Sequence, residues 1–187
     1  MALGSTAKYM ILDPIIGLSG PVTATGTVAL APQGYYVHAA DLQSGGTSVN
    51  AGGAQFVYCR GSNVTAIGQF VQISQGSSKA GVSAVLLDSA NSTCWWPIGV
   101  AAGNLSASNV FGWVQVQGLC DYALVSNTSV AANAFIALGS TAGQVGSVTA
   151  LGSRINGIAV PVSFTSSQTS LTVYLDFPKM IGITASN

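Results

Sequence analysis

Glutamate is absent from this 187-residue chain, and charge of either sign is scarce. Five cations (Lys8, Arg60, Lys79, Arg154, Lys179) face five aspartates (Asp13, Asp41, Asp88, Asp121, Asp176), so the formal net charge at pH 7 is zero. Charged residues are 5% of the chain, against about 25% in a typical soluble domain. The cations stand singly along the sequence, whereas phosphate contacts need clustered Lys and Arg; nucleic acid is not an expected partner. A surface with so little charge relies on Ser, Thr, Asn, Gln and backbone for solubility, and it has little repulsion to hold copies apart. The expected setting is a subunit packed against other subunits.

Groups that do chemistry are equally sparse. His38 is the one histidine, so a serine or cysteine nucleophile lacks a choice of base. The aspartates are far apart in sequence, with no local D-x-D or D-x-x-D to suggest a divalent-metal loop or a glycosidase pair. Neither G-x-x-x-x-G-K-[ST] nor G-x-G-x-x-G occurs after a strand. Cys59, Cys94 and Cys120 form no CxxC pair, and with a single histidine they do not make up a zinc set. The chain is therefore expected to be no enzyme and to take neither cofactor nor metal, its cysteines being small buried hydrophobes.

Long hydrophobic runs are missing too. Mean hydropathy is +0.51 and residues 89–120 carry no charge. Polar residues and glycines nevertheless interrupt them too often for the about 20 apolar residues of a spanning helix. Strand spacing is too irregular for an outer-membrane barrel, so no membrane partner is expected. The opening MALGSTAKYMILDP lacks a basic start followed by an apolar core, so export by the usual route is not expected. The triplets at Asn63, Asn91, Asn104 and Asn127 are then chance matches rather than glycan acceptors.

What is present is β-prone sequence. Gly, Ser, Thr, Val and Asn dominate, the opposite of a helix-forming mixture. The single stretch with some helical leaning, SVAANAFIA (129–137), is too short and too embedded in β-type sequence to count. QFVYCR (55–60) alternates, with Phe56 and Tyr58 on one side and Val57 and Cys59 on the other. After GSN, QFVQIS (69–74) resumes; AVLLD (84–88) follows. GWVQVQG (112–118) is the clearest strand. Trp113 shares parity with Gln115 and Gln117, so if Val114 and Val116 face a core, the tryptophan lies on the outer face. CDYALVS (120–126) and AFIALG (134–139) come next. RINGIAVPVSF (154–164) holds an Asn-Gly turn signal and a Val-Pro-Val segment suited to an edge, and SLTVYLDF (170–177) alternates again. The pattern predicts an all-β protein, a compact β-sandwich or β-barrel-like domain over 51–187. Residues 1–50 read as a Gly/Pro-rich N-terminal arm or edge-strand region that orders against a neighbouring molecule. The neighbouring aromatic pairs Tyr35–Tyr36 and Trp95–Trp96, together with Trp113, are the candidate interface anchors, since Trp and Tyr supply large contact area at low entropy cost.

These segments also carry a family likeness. AQFVYCRGSNVTAIGQFVQIS resembles a stretch of small head proteins of tailed bacteriophages, of the type (A/G)-(E/Q)-F-x-Y-x-x-G leading through Val, Thr and Gly to a second strand. The matching residues are Ala54, Gln55, Phe56, Tyr58, Gly61, Thr65, Gly68 and Val71. The likeness continues in order through Ile98, Gly99 and Val100 to G-W/Y-x-Q-x-x-G, carried by Gly112, Trp113, Gln115 and Gly118. AFIALGSTAGQVGSV and GSRINGIAV match the later strand, turn and strand. Altogether it spans roughly residues 52–162. The resemblance implies a capsid decoration, or cement, protein. Such a protein is made in the host cytoplasm, binds the outer surface of the icosahedral head and joins adjoining capsomers, commonly as a homotrimer at local three-fold positions. The implied partners are the major capsid protein and other copies of the chain. Gln55 replaces the usual acidic residue, and the first fifty residues have no counterpart. The alternatives are another phage structural part, in the tail or a fibre, and a carbohydrate-binding β-sandwich in which Trp95, Trp96 or Trp113 would stack on sugars.

Overall fold

The computed structural model describes residues 9–13, 18–41, 53–75, 81–88, 97–126, 129–147, 154–165 and 169–180. All regular structure within them is β, and no helix there is long and apolar enough to cross a membrane. Twelve strands are formed: β1 (Tyr9–Asp13), β2 (Leu18–Pro21), β3 (Tyr36–Asp41), β4 (Ala54–Ser62), β5 (Phe70–Gln75), β6 (Val82–Leu86), β7 (Ile98–Ala101), β8 (Phe111–Leu124), β9 (Ile136–Leu138), β10 (Val145–Ser147), β11 (Arg154–Ala159) and β12 (Ser170–Met180). Their order in one continuous sheet is β10-β9-β11-β12-β8-β7-β5-β6-β4-β3-β1-β2, and a further pairing of β8 with β4 closes β4, β8, β7, β5 and β6 into a five-stranded barrel. Every junction of the ring is antiparallel except β4 with β6, which run parallel. Of the two architectures open to the sequence, the barrel is the one adopted.

Alternation explains the wall. Val57 and Cys59 of β4, Val71 and Ile73 of β5, Ala101 of β7, and Val114 and Val116 of β8 fill the barrel interior, with Val64 and Leu105 beside them. The opposite parity is also apolar, and it is covered twice. Phe56, Tyr58 and Trp113 pack under Val22, Ala31, Val37 and Ala39 of the N-terminal segment. Phe70, Ile98 and Val100 pack under a second sheet contributing Cys120, Tyr122, Ile155, Leu171, Val173, Leu175 and Met180. Burying one such Val, Leu or Phe side chain is worth roughly 1.5–3 kcal/mol, so the two outer layers contribute on the same scale as the barrel interior.

β8 serves both halves. Its first part pairs with β4 from Arg60↔Phe111 to Gln55↔Gln117, and its second pairs with β12 from Asp176↔Gln117 to Ser170↔Leu124. The change of partner falls at Gly118, whose φ of +94 is open to glycine alone at little cost. A Cβ there would also lie 3.0 Å from both Cα and Cβ of Ala54. Beyond this point the sheet curls back through β12, β11, β9 and β10, and the Ser126 amide donates to the Val145 carbonyl at 2.8 Å, joining β10 to the end of β8.

Two local expectations are revised. Asn156-Gly157 is not a hairpin turn: it lies within β11, where Gly157 (φ +78) faces the displaced residues Asp176–Pro178 of β12 as a β-bulge. The register runs from Asn156↔Lys179 directly to Ile158↔Leu175, so the glycine supplies positive φ to a bulge rather than to a reversal. Val160-Pro161-Val162 follows β11 and lies outside any strand. In 129–137 there is a single turn closed by the Ala134 amide on Ala131, followed by β9.

Gly68 tests the close approach on which the barrel depends. Its φ is +89, and a Cβ would run into the Tyr122 carbonyl oxygen. Gly68→Ala should lower stability by about 3 kcal/mol, from strain plus overpacking. Gly26→Ala, where the nearest atom to an added Cβ is 3.6 Å away, should change it by less than about 0.5 kcal/mol. Urea midpoints of the two variants check this contrast.

Candidate interaction surfaces

Among the described residues no cluster of three or more His, Cys, Asp or Glu could hold a metal ion. His38 is exposed on β3, its backbone paired with Gln55. Cys59 lies inside the barrel and Cys120 beneath the second sheet, both buried and free. Burial raises each thiol from the usual 9.0 to about 12, because a thiolate there would lose its hydration; for Cys120 the Tyr122 backbone hydrogen bond opposes the rise. Both are poor nucleophiles and sit as packing residues.

The buried polar centre is Gln115, fully enclosed on β8. Its Nε2 donates to the carbonyls of Gln117 (3.3 Å) and Leu119 (3.0 Å), the two residues flanking Gly118. Its Oε1 accepts from the Tyr122 hydroxyl at 2.7 Å. One amide thus holds the bend of β8 and ties the barrel to the second core. With its donors and acceptor satisfied, the group is structural.

The candidate interface aromatics separate. Trp113 does lie on the outer face of the barrel, as parity predicts, yet it is 3% exposed. Its ring packs against Tyr58 at 4.8 Å between centroids, and Tyr58 stacks on Phe111 at 6.3 Å. The chain's own residues 22–35 form the cover. Gly26 exchanges backbone hydrogen bonds with Phe111, the Leu30 amide donates to the Tyr58 hydroxyl at 3.0 Å, and the Gly34 amide donates to the Tyr58 carbonyl at 2.7 Å. The face of Trp113 is therefore spent on holding this segment. Tyr35 is half-buried beside the same layer, while Tyr36 is 50% exposed. Trp95, Trp96 and Cys94 lie outside the described residues.

Other exposed apolar side chains escaped the reading by sequence. Val28 (73% exposed) and Leu30 stand on the covering segment. Tyr174 (49% exposed) and Phe177 belong to β12, and Phe135 (57%) stands in the loop just before β9, where the Arg154 guanidinium lies 3.3 Å from the centroid of its ring. Tyr174 was within reach of parity, since it alternates with Val173 and Leu175. Phe177 was not, because a bulge sets its direction.

The residues carrying the phage-head likeness up to Gly118 fall largely on the barrel, and its later part, AFIALGSTAGQVGSV and GSRINGIAV, falls on β9, β10 and β11 outside it. Phe56, Tyr58 and Trp113 form the layer under the N-terminal segment, Gln115 and Gly118 make the bend, and Gly61, Gly99 and Gly112 stand where a Cβ would meet Leu105 or Val114. No protein-family model matches the chain, and no curated protein matches it.

Two measurements check the buried groups. Tyr122→Phe removes the donor to Gln115 and should cost about 1–3 kcal/mol, read from the denaturant midpoint. For the thiols, the folded form holds its proton to higher pH than the unfolded one. Their contribution is complete below 9.0 and is lost as pH rises toward about 12, at up to about 1.4 kcal/mol per pH unit for each thiol. Cys120→Ala should flatten that alkaline decline, measured as denaturant midpoints across the interval.

Proposed function

We propose that this chain is a structural protein of a tailed-bacteriophage virion, one that binds the outer surface of the icosahedral head and cements adjoining capsomers. It does so without catalysis, probing no substrate and holding no cofactor; its partners are the major capsid protein and other copies of itself, as a homotrimer at local three-fold positions. The observation that carries this reading is the place of the likeness in the fold. Its shared residues up to Gly118 lie largely in the barrel wall and at the bend of β8, and its later part runs along β9, β10 and β11, so the likeness follows the order of the strands rather than scattered composition. The surface left over also suits the role. It is nearly free of charge and carries apolar side chains at both flanks, and contacts of that kind are less sensitive to salt than ion pairs.

The N-terminal segment supports the reading in a more restricted form than residues 1–50 as a whole. Residues 22–34 cover Trp113 and Tyr58 and belong to the molecule's own packing. β1 and β2 lie at the end of the sheet, joined to it through Tyr9–Ile11 on Ala39–Asp41. Among the described residues β2 leaves one backbone edge without a strand partner in the sheet order, the kind of edge another chain can complete.

The test is addition of the purified full chain to bare, expanded heads, read by sedimentation. Saturable co-sedimentation is expected, and a chain that binds glycans but no heads overturns the reading. Deleting residues 1–21 should lower head occupancy at least about tenfold if edge completion contributes a typical hot-spot share, while the thermal midpoint of the barrel holds. Undiminished occupancy would remove the arm from the contact.

A further inference from the structure

We infer that Asn156 is a site of spontaneous covalent modification: its side-chain amide is lost as the Gly157 nitrogen closes a succinimide ring, and water opens that ring to aspartate and isoaspartate. The inference does not rest on the proposed role, and its test needs no phage head.

The sequence contains one Asn-Gly step, and the fold does not spend it on a chain reversal. Both residues are exposed on β11. Strand pairing holds their neighbours but not Gly157. β9 meets β11 at Arg154 and Ile155 and, among the described residues, pairs with it no further. On the other edge the register with β12 steps from Asn156↔Lys179 to Ile158↔Leu175, so Gly157 has no Cα partner there either. A residue paired on both edges is fixed by its ladder; this one is fixed by neither. Glycine is also required at this point, by φ +78 and by the Asp176 carbonyl oxygen 2.5 Å from where a Cβ would stand. The attacking nitrogen therefore belongs to a residue with no side chain to shield it from Cγ of Asn156.

The reaction balances with water alone. The Gly157 amide gives its proton to solvent, its nitrogen bonds to Cγ of Asn156, and the Cγ–Nδ2 bond breaks with release of ammonia, which takes up a proton. Water then adds to one of the two ring carbonyls. Opening at Cγ leaves aspartate. Opening at the main-chain carbonyl leaves isoaspartate, in which the chain runs through Cβ and Cγ and is longer by a single carbon.

That carbon falls on the shorter side of the bulge. Between the paired positions β11 has Gly157 alone, whereas β12 has Asp176, Phe177 and Pro178, so the added length reduces the mismatch between the strands. Either product also places a carboxylate across from Lys179, the Cα partner of Asn156, in a chain whose formal charges otherwise cancel. An exposed pair of this kind contributes little, so the fold survives the conversion.

Timed incubation of the purified full chain, folded in buffer and unfolded in urea, tests this by peptide mapping and by labelling with an isoaspartyl methyltransferase. In the folded chain Asn156 should convert before any other asparagine, at a rate within about tenfold of the unfolded chain, as for a position whose local opening costs close to nothing. The rate should rise with pH, because the nitrogen must shed its proton before it attacks. Asn156→Gln, at an exposed position, should fold as wild type and take no label in this peptide, since the longer side chain closes its larger ring far more slowly. The converted chain should keep the thermal midpoint of the fresh one. An Asn156 that stays intact in the folded chain while converting in urea overturns the inference, as does another asparagine reacting first. A thermal midpoint that falls in step with isoaspartate overturns the accommodation of the added carbon by the bulge.

Discussion

The barrel wall is apolar on both of its faces, and the rest of the molecule is arranged to satisfy that constraint. A five-stranded ring has room inside for small and branched side chains only, which is why Val, Cys, Ala and Ile occupy the inward positions of its strands. The outward positions hold Phe56, Tyr58, Phe70, Ile98, Val100 and Trp113, too large and too apolar to face water as a group. Two further layers follow from this. The N-terminal segment covers the β4 and β8 side, and the sheet of β9–β12 covers the β5 and β7 side. The barrel without them would expose a belt of aromatic surface.

Single-strand parity made much of this visible in the sequence. The division of Phe56 and Tyr58 from Val57 and Cys59 is the division between two cores, and Trp113 against Val114 repeats it on β8. What parity could not supply was the cover. Nothing in a run such as GTVALAPQG signals that it will lie across a tryptophan about three-fifths of the way along the chain, because its attachment is by backbone hydrogen bonds from Gly26, Leu30 and Gly34, which any sequence could offer. Asn-Gly misled for a related reason: positive φ serves a bulge as well as a hairpin, and only the register of β12 decides between them. The candidate surface was legible to the same extent. Tyr36 and Tyr174 follow from alternation, whereas Phe135 and Phe177 depend on a loop and a bulge.

The phage-head likeness and the surface carry different information. Motif residues such as Gly112, Gln115 and Gly118 are required by close approach, by a buried amide and by a bend, so they report how the chain folds. Its exposed apolar side chains lie outside the motif, among them Val28 and Leu30 on the N-terminal segment and Tyr174 and Phe177 on β12. A scaffold held by glycine geometry and one satisfied amide leaves its flanks free to change partner without disturbing the ring.

β4 offers one edge to two strands in turn: β3 takes it over Ala54–Val57, and β6 takes it over Arg60–Ser62. Because the ring closes through the second stretch alone, the first can open without breaking it. The N-terminal portion is in this sense a seat belt, with a release cost governed by one aromatic layer rather than by the global unfolding free energy.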